Sequence, residues 1–169
     1  MRIVKRGWRS APLALAVFAL LSLNACADTG PVTGVTEPVR AELALLTQAG
    51  KRFVFQVEVA GTPAEKRQGL MFRDKLPEKH GMLFLYQPAM DVAMWMKNTL
   101  LSLDILFIDS AGKIIKIERD AEPLSEKSMR SGRPVRALLE INGGMAGFLG
   151  VSVGDRVVYA PLWPDPDKP

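Results

Sequence analysis

The chain has 169 residues, 48% of them hydrophobic and 24% charged, with one Cys and one His, which suits one globular domain plus extensions and leaves no second thiol for an internal disulfide. Its net charge of +4 invites a nucleic-acid role, but Arg2, Lys5, Arg6 and Arg9 are four of the 22 Lys and Arg, and the remainder equal the 18 Asp and Glu. A domain without net charge offers no general field to phosphate backbones, so nucleic acid is set aside as a partner.

Residues 1–25 read as a signal peptide: a basic start precedes an apolar run over residues 13–23, too short to span a bilayer. Export is therefore expected. Leu23-Asn24-Ala25-Cys26 resembles a bacterial lipobox, whose Cys26 would become the acylated first residue and membrane anchor of the mature protein. Ala27 after that Cys, by resemblance to lipoprotein sorting signals, implies the outer membrane and a domain facing the periplasm. The alternative is ordinary cleavage after Ala27, at the A-x-A site Ala25-Cys26-Ala27, giving a soluble periplasmic protein. Residues 26–38, rich in Gly, Thr and Pro, read as a tether.

The globular domain is placed at residues 39–163, with residues 164–169 as a tail fraying after Trp163. Residues 42–47 and 52–60 predict a half-buried antiparallel hairpin, with Phe53, Phe55, Val57 and Val59 on one face and Gln56 and Glu58 on the other. Thr62-Pro63-Ala64-Glu65 predicts a capped helix running to about Gly69, because Thr62 can cap, Pro63 suits the first helical position and Glu65 can bond back. Residues 82–86 follow as a buried strand.

Residues 92–109 hold two apolar, β-prone runs separated by Lys97-Asn98-Thr99, with Asp104 inside the second. Alternation puts Leu103, Ile105 and Phe107 on one face and Asp104, Leu106 and Ile108 on the other. Both faces are apolar, so both should be covered. Asp104 then needs a donor or a cation, and Lys97 or Arg73, helped by backbone or Asn98 N–H groups, is expected to hold it charged. Asp109-Ser110-Ala111-Gly112 suits a type I turn into a strand over residues 113–118. Residues 120–134 show no period and read as a long surface loop, a plausible lid. A strand over residues 135–141 carries Glu140, Asn142-Gly143-Gly144 turns into a helical stretch over residues 145–149, and residues 156–160 form the last strand.

These segments resemble the domain-of-unknown-function family 192. The likeness runs through Thr62-Pro63-Ala64-Glu65, Gly69-Leu70-Met71-Phe72-Arg73, Gly81-Met82-Leu83-Phe84, Trp95-Met96-Lys97-Asn98-Thr99, Leu103-Asp104-Ile105, Leu139-Glu140-Ile141-Asn142 and Gly154-Asp155, in order, over about residues 43–160. Two positions depart from the family pattern, Met94 for Phe and Ser102 for Pro. The resemblance implies a mainly β fold, a single compact β-barrel or jelly-roll-like domain with short helices, with α+β as the alternative. It implies no established activity.

The candidate ligand-binding residues are Arg73, Lys97, Asn98, Asp104 and Glu140. Asp104 with Lys97 can be an acid/base pair, a ligand clamp or a structural ion pair. Arg73 can reach solvent or join that carboxylate, and Glu140 can supply a second acid. No His, Cys, Asp or Glu spacing resembles a metal site, and no cofactor is expected. Met90, Met94 and Met96 could offer thioethers to Cu(I), although filling the core is their ordinary role. His80 reads as an exposed turn residue, and Asn142-Gly143-Gly144 before a helix could receive a phosphate or carboxylate or be only a turn. The resulting expectation is a non-enzymatic envelope module for a small polar or anionic ligand, such as a carbohydrate, or for a partner protein. The alternative is a hydrolase of envelope glycans using Asp104 and Glu140.

Overall fold

The computed structural model describes residues 38–165; the expected signal peptide, Cys26, the expected tether up to residue 37 and residues 166–169 lie outside the described residues. In chain order the elements are β1 (Arg40–Leu46), β2 (Arg52–Ala60), α1 (Pro63–Gln68), β3 (His80–Met90), β4 (Ala93–Met94), β5 (Leu103–Ile108), β6 (Ile114–Ala121), β7 (Met129–Arg130), β8 (Val135–Asn142), α2 (Met145–Leu149) and β9 (Arg156–Val158). Among the described residues, a seven-stranded sheet has the order β6-β5-β8-β3-β2-β1-β9, and β4 pairs with β7 beside it. The sheet curls into a half-barrel, so the domain is mainly β with two short helices.

The curl follows from where the apolar residues fall. β1 and β2 form the expected hairpin, Leu43 opposite Phe55, and both residues are buried. Leu45, Val57, Leu106, Ile108, Leu139 and Ile141 join them in a core on one face of the sheet, closed by Val157 and Trp163. The other face carries a second core of Leu70, Met82, Phe84, Met96, Ile105 and Phe107. β5 lies between the two, and all six of its residues are buried, as a strand apolar on both faces requires. The two edge strands approach each other at one end: the Ile114 N–H donates to Asp155 O at 2.8 Å, and the Val157 N–H to Gly112 O at 2.8 Å.

Local signals set the connections. Thr62 Oγ1 accepts from the Glu65 N–H at 3.2 Å while Glu65 Oε2 accepts from the Thr62 N–H at 2.7 Å, so α1 starts on the expected capping box, with Pro63 at its first position. Asp109 Oδ1 accepts from the N–H groups of Ala111 and Lys113, both at 2.9 Å, which fixes the turn into β6. β2 and β3 run parallel, with α1 in the crossover between them. At Gly81, where β3 passes β8, a Cβ would collide with the backbone oxygen of Glu140, so only Gly allows the two strands to meet there.

Several boundaries differ from the expectation. β3 extends to Met90, while only Ala93 and Met94 of the 92–96 run pair as a strand. Residues 120–134 are not a free loop. Asp120 and Ala121 finish β6, Met129 and Arg130 form β7, and the segment is bonded along its length to residues 92–99 through Ser131 N–H to Val92 O, Met96 N–H to Ser125 O and Leu124 N–H to Thr99 O. A lid hinged away from the domain would have to give up those bonds. Past Trp163, the Arg52 guanidinium meets Asp165 at 2.8 Å.

Candidate functional site

Strand register places Glu58, Met82, Glu140 and Ile105 in one row across β2, β3, β8 and β5, on the face of the second core. The segment after α1 crosses that face, its Leu70 buried in the core. Asn142, on the same face of β8 as Glu140, donates to Leu76 O at 3.0 Å and pins the segment further along. One cleft lies on each side of this crossing, and the five candidate residues divide between them and the opposite core.

The larger cleft, about 650 Å³, lies among the end of α1, the end of β3, β4 and residues 97–99, with Glu140 in its lining. Glu140 is 4% exposed, and no hydrogen bond reaches its carboxyl among the described residues. Among the described residues no fully enclosed side-chain oxygen or nitrogen is left without a partner, so the tip of Glu140 opens into the cleft. Burial pushes its pKa up to about 8, which keeps the carboxyl mostly neutral at pH 7. Tyr86, on the same wall, is pushed up to about 12, first by burial and then by the Glu140 charge. Lys66 sits 4.8 Å from the centre of the Tyr86 ring and Lys97 sits 5.4 Å from that of Trp95, so two ammonium groups stand on aromatic faces at the rim.

The polar break at residues 97–99 is a tight turn. Asn98 has φ of 56°, a left-handed conformation that Asn tolerates better than most residues, and its carbonyl accepts from the Phe72 N–H at 2.9 Å. Lys97 contacts Glu126 at 3.4 Å, an exposed pair, and does not reach Asp104. Met90 and Met94 line the same cleft, whereas Met96 is buried in the core, so the three thioethers are not gathered in one place.

Arg73 joins a different carboxylate from the one expected. Its two terminal nitrogens meet the two oxygens of Glu58, each at 2.6 Å, in a bidentate pair. The hydrogen bond and charge of Arg73 pull the Glu58 pKa down and Glu58 raises that of Arg73. The pair lines the second cleft, about 400 Å³, with Arg40, Lys75 and His80.

Asp104 faces away from both clefts, into the first core, and is fully buried. Its expected cation is absent: no Lys or Arg bonds to it among the described residues. The donors are backbone N–H groups, those of Asp120 at 2.8 Å, Gly144 at 3.1 Å and Ala146 at 2.7 Å. Gly144 has no side chain to cap α2, and Asp104 takes that role from β5. The Asn142-Gly143-Gly144 turn thus receives a carboxylate, but one from its own chain. Three donors oriented by β6 and α2 do what a cation would otherwise do, at lower desolvation cost.

Glu140 is in register with Ile105, so Asp104, the preceding residue, projects from the opposite face of the sheet. Paired-carboxylate hydrolysis needs both acids to face one bond, and these two do not. Sequence alone does not single out Tyr86, Trp95 and Lys66 around Glu140. The only sequence signal for them was an aromatic near each end of the apolar runs and a cation on a short helix.

The DUF192 family (Uncharacterized ACR) matches residues 44–159, nearly all of the folded domain. The chain belongs to this family. A DUF192-like architecture recurs in a protein of Sinorhizobium meliloti 1021 provisionally described as a transcription regulator, 43% identical, with a TM-score of 0.74, covering 76% of this chain and 100% of that one. A protein of unknown function from Novosphingobium aromaticivorans is 38% identical with a TM-score of 0.69, covering 76% and 89%. No curated protein matches the chain.

Proposed function

We propose that this DUF192 domain is a non-enzymatic binding module of the cell envelope that takes a small polar or anionic ligand, of the size and chemistry of a sugar acid, in the cleft above Glu140. The supporting observation is a buried carboxyl that has no hydrogen-bond partner among the described residues and opens into a hollow of about 650 Å³. A neutral carboxyl donates a hydrogen bond to a ligand oxygen instead of repelling an anion. Lys66 and Lys97 supply positive charge at the rim, and Trp95, half exposed, offers a flat apolar face to a sugar ring. A partner protein is the second reading. It is favoured by the exposed Phe72, Leu100 and Leu124, which adjoin the same 97–99 turn.

NMR titration with glucuronate and with glucose tests the first reading. Saturable shifts are expected at the Trp95 indole and the amides of Lys97 and Asn98, stronger for glucuronate, retained in Glu140→Gln and lost in Glu140→Leu. No saturable shift at these positions with either sugar would sink the small-ligand reading.

Placement in the envelope rests on the leader and Cys26. If Cys26 is acylated, Cys26→Ser should abolish fatty-acid labelling and release the protein from membranes. Unchanged fractionation, with no lipid on the wild type, would instead mean cleavage after Ala27.

A further inference from the structure

The smaller cleft belongs to none of the above. β1, β2 and β3 form its floor, and register sets Arg40 beside Glu58 and Gln56 beside His80 on one face of the sheet. Residues 73–77 form its wall, held down by Asn142 through Leu76 O and Pro77 O. Arg40, Arg73 and Lys75 therefore surround a hollow of about 400 Å³ that contains a single carboxylate, Glu58. That carboxylate is already taken by both terminal nitrogens of Arg73. Arg40 is near enough to help lower the Glu58 pKa, yet neither Arg40 nor Lys75 forms an ion pair among the described residues. The acids in the neighbourhood, Glu42, Asp74 and Glu78, do not line the hollow, and Glu42 is occupied with the Gln56 amide at 3.3 Å. The His80 ring meets Glu78 O through Nδ1 at 2.9 Å, which leaves Nε2 as its other polar atom.

We propose that this cleft, on the far side of the crossing segment from Glu140, is an oxyanion site whose ligand carries a phosphate-type group bound by Arg40 and Lys75, with Arg73 as the fixed wall. Like charges gathered around one concavity repel one another, and an anion between them relieves that repulsion. The Arg73–Glu58 pair sets the depth of the site: with both guanidinium ends committed, Arg73 is rigid, and the two uncommitted cations are left to grip. The site is local, which is why the balanced charge of the whole domain does not reveal it. Such a group can come from a free phosphate compound or from the headgroup of an anionic lipid. Arg40 begins β1, directly after the expected tether, so both sources are tested.

In the full chain carrying Cys26→Ser, titration with inorganic phosphate should give saturable NMR shifts confined to Arg40, Lys75 and His80. Arg40→Ala and Lys75→Ala should each weaken binding about tenfold, the loss of one charge-assisted contact, and the double variant should abolish it. Lys127→Ala, outside the hollow, should leave the titration unchanged. The vesicle arm compares phosphatidylglycerol with phosphatidylcholine by co-sedimentation. Preference for phosphatidylglycerol, lost in the double variant, identifies a lipid headgroup. Phosphate saturation without that preference identifies a soluble compound. Shifts that never saturate, or that Lys127→Ala reduces as much as Arg40→Ala does, overturn the proposal, and neither outcome touches the Glu140 cleft.

Discussion

Glu140→Gln is expected to stabilise the domain at pH 8 and to flatten its stability between about pH 4.5 and pH 8. Burial raises the folded pKa of Glu140 from 4.5 to about 8. Below the unfolded value both states carry the proton, and the residue has no pH-dependent effect. Between the two values the unfolded chain has released its proton while the folded chain keeps it, so stability falls as pH rises, by about 1.4 kcal/mol per pH unit. Above the folded value both states are ionised and the loss levels off. The total is on the order of several kcal/mol, because the carboxyl is almost completely buried. Gln keeps the shape of the neutral acid and removes the titration. Glu58 acts in the opposite sense: Arg73 lowers its folded pKa, so its contribution is present above its unfolded value and is lost as acid protonates the folded group. Denaturant melts of wild type and Glu140→Gln at pH 5, 6, 7 and 8 therefore isolate Glu140. A wild-type curve that is level across that range, or a Gln variant less stable at pH 8, would show that the carboxyl is not held neutral in the fold. The same protonation makes glucuronate binding weaken above about pH 8, where Glu140 would face the ligand as an anion.

Much of this architecture is legible in local chemistry. The Thr62–Glu65 box, the hairpin from Arg40 to Ala60 and the five-residue helix after Gly144 all depend on neighbours within a few positions, and short-range patterns report such neighbours well. Alternation along β5 also told correctly that Asp104 is buried and needs donors. What alternation cannot tell is which distant groups arrive there. Asp104 meets N–H groups 16, 40 and 42 residues away, and backbone donors leave no trace in residue type. A cation was the visible alternative, so Lys97 and Arg73 looked suitable. Arg73, in the crossover between α1 and β3, instead finds Glu58, 15 residues back on β2, a partner that the polar face of β2 offered but did not specify. Residues 120–134 were unreadable for a related reason. Their order comes from bonds to residues 92–99, and β7 is too short to show a period.

Asp104→Ala is expected to cost about 3 to 5 kcal/mol, because it deprives three N–H groups of the native fold of their acceptor at once, the Ala146 N–H in a buried position. The carboxylate joins the end of β6 to the start of α2 through β5. Losing it removes charge-assisted bonds and leaves their donors unpaired, the costlier half of the change. Asp104→Asn should fall between: its amide oxygen can still accept from Asp120 and Gly144, but its NH₂ would face the Ala146 N–H, donor against donor. Asp109 supplies the control. It accepts two N–H groups in a turn open to water, so Asp109→Ala should cost only about 1 kcal/mol. Hydrogen exchange gives a local readout that global melting does not. In Asp104→Asn the Ala146 amide should lose protection before the amides of β1 and β2 do, because α2 has no side-chain cap of its own. If both Asp104 variants unfold within about half a kcal/mol of wild type, and Ala146 exchanges as it does in the wild type, then α2 is held by the packing of Ala146 and Leu149 alone and the carboxylate is not its anchor.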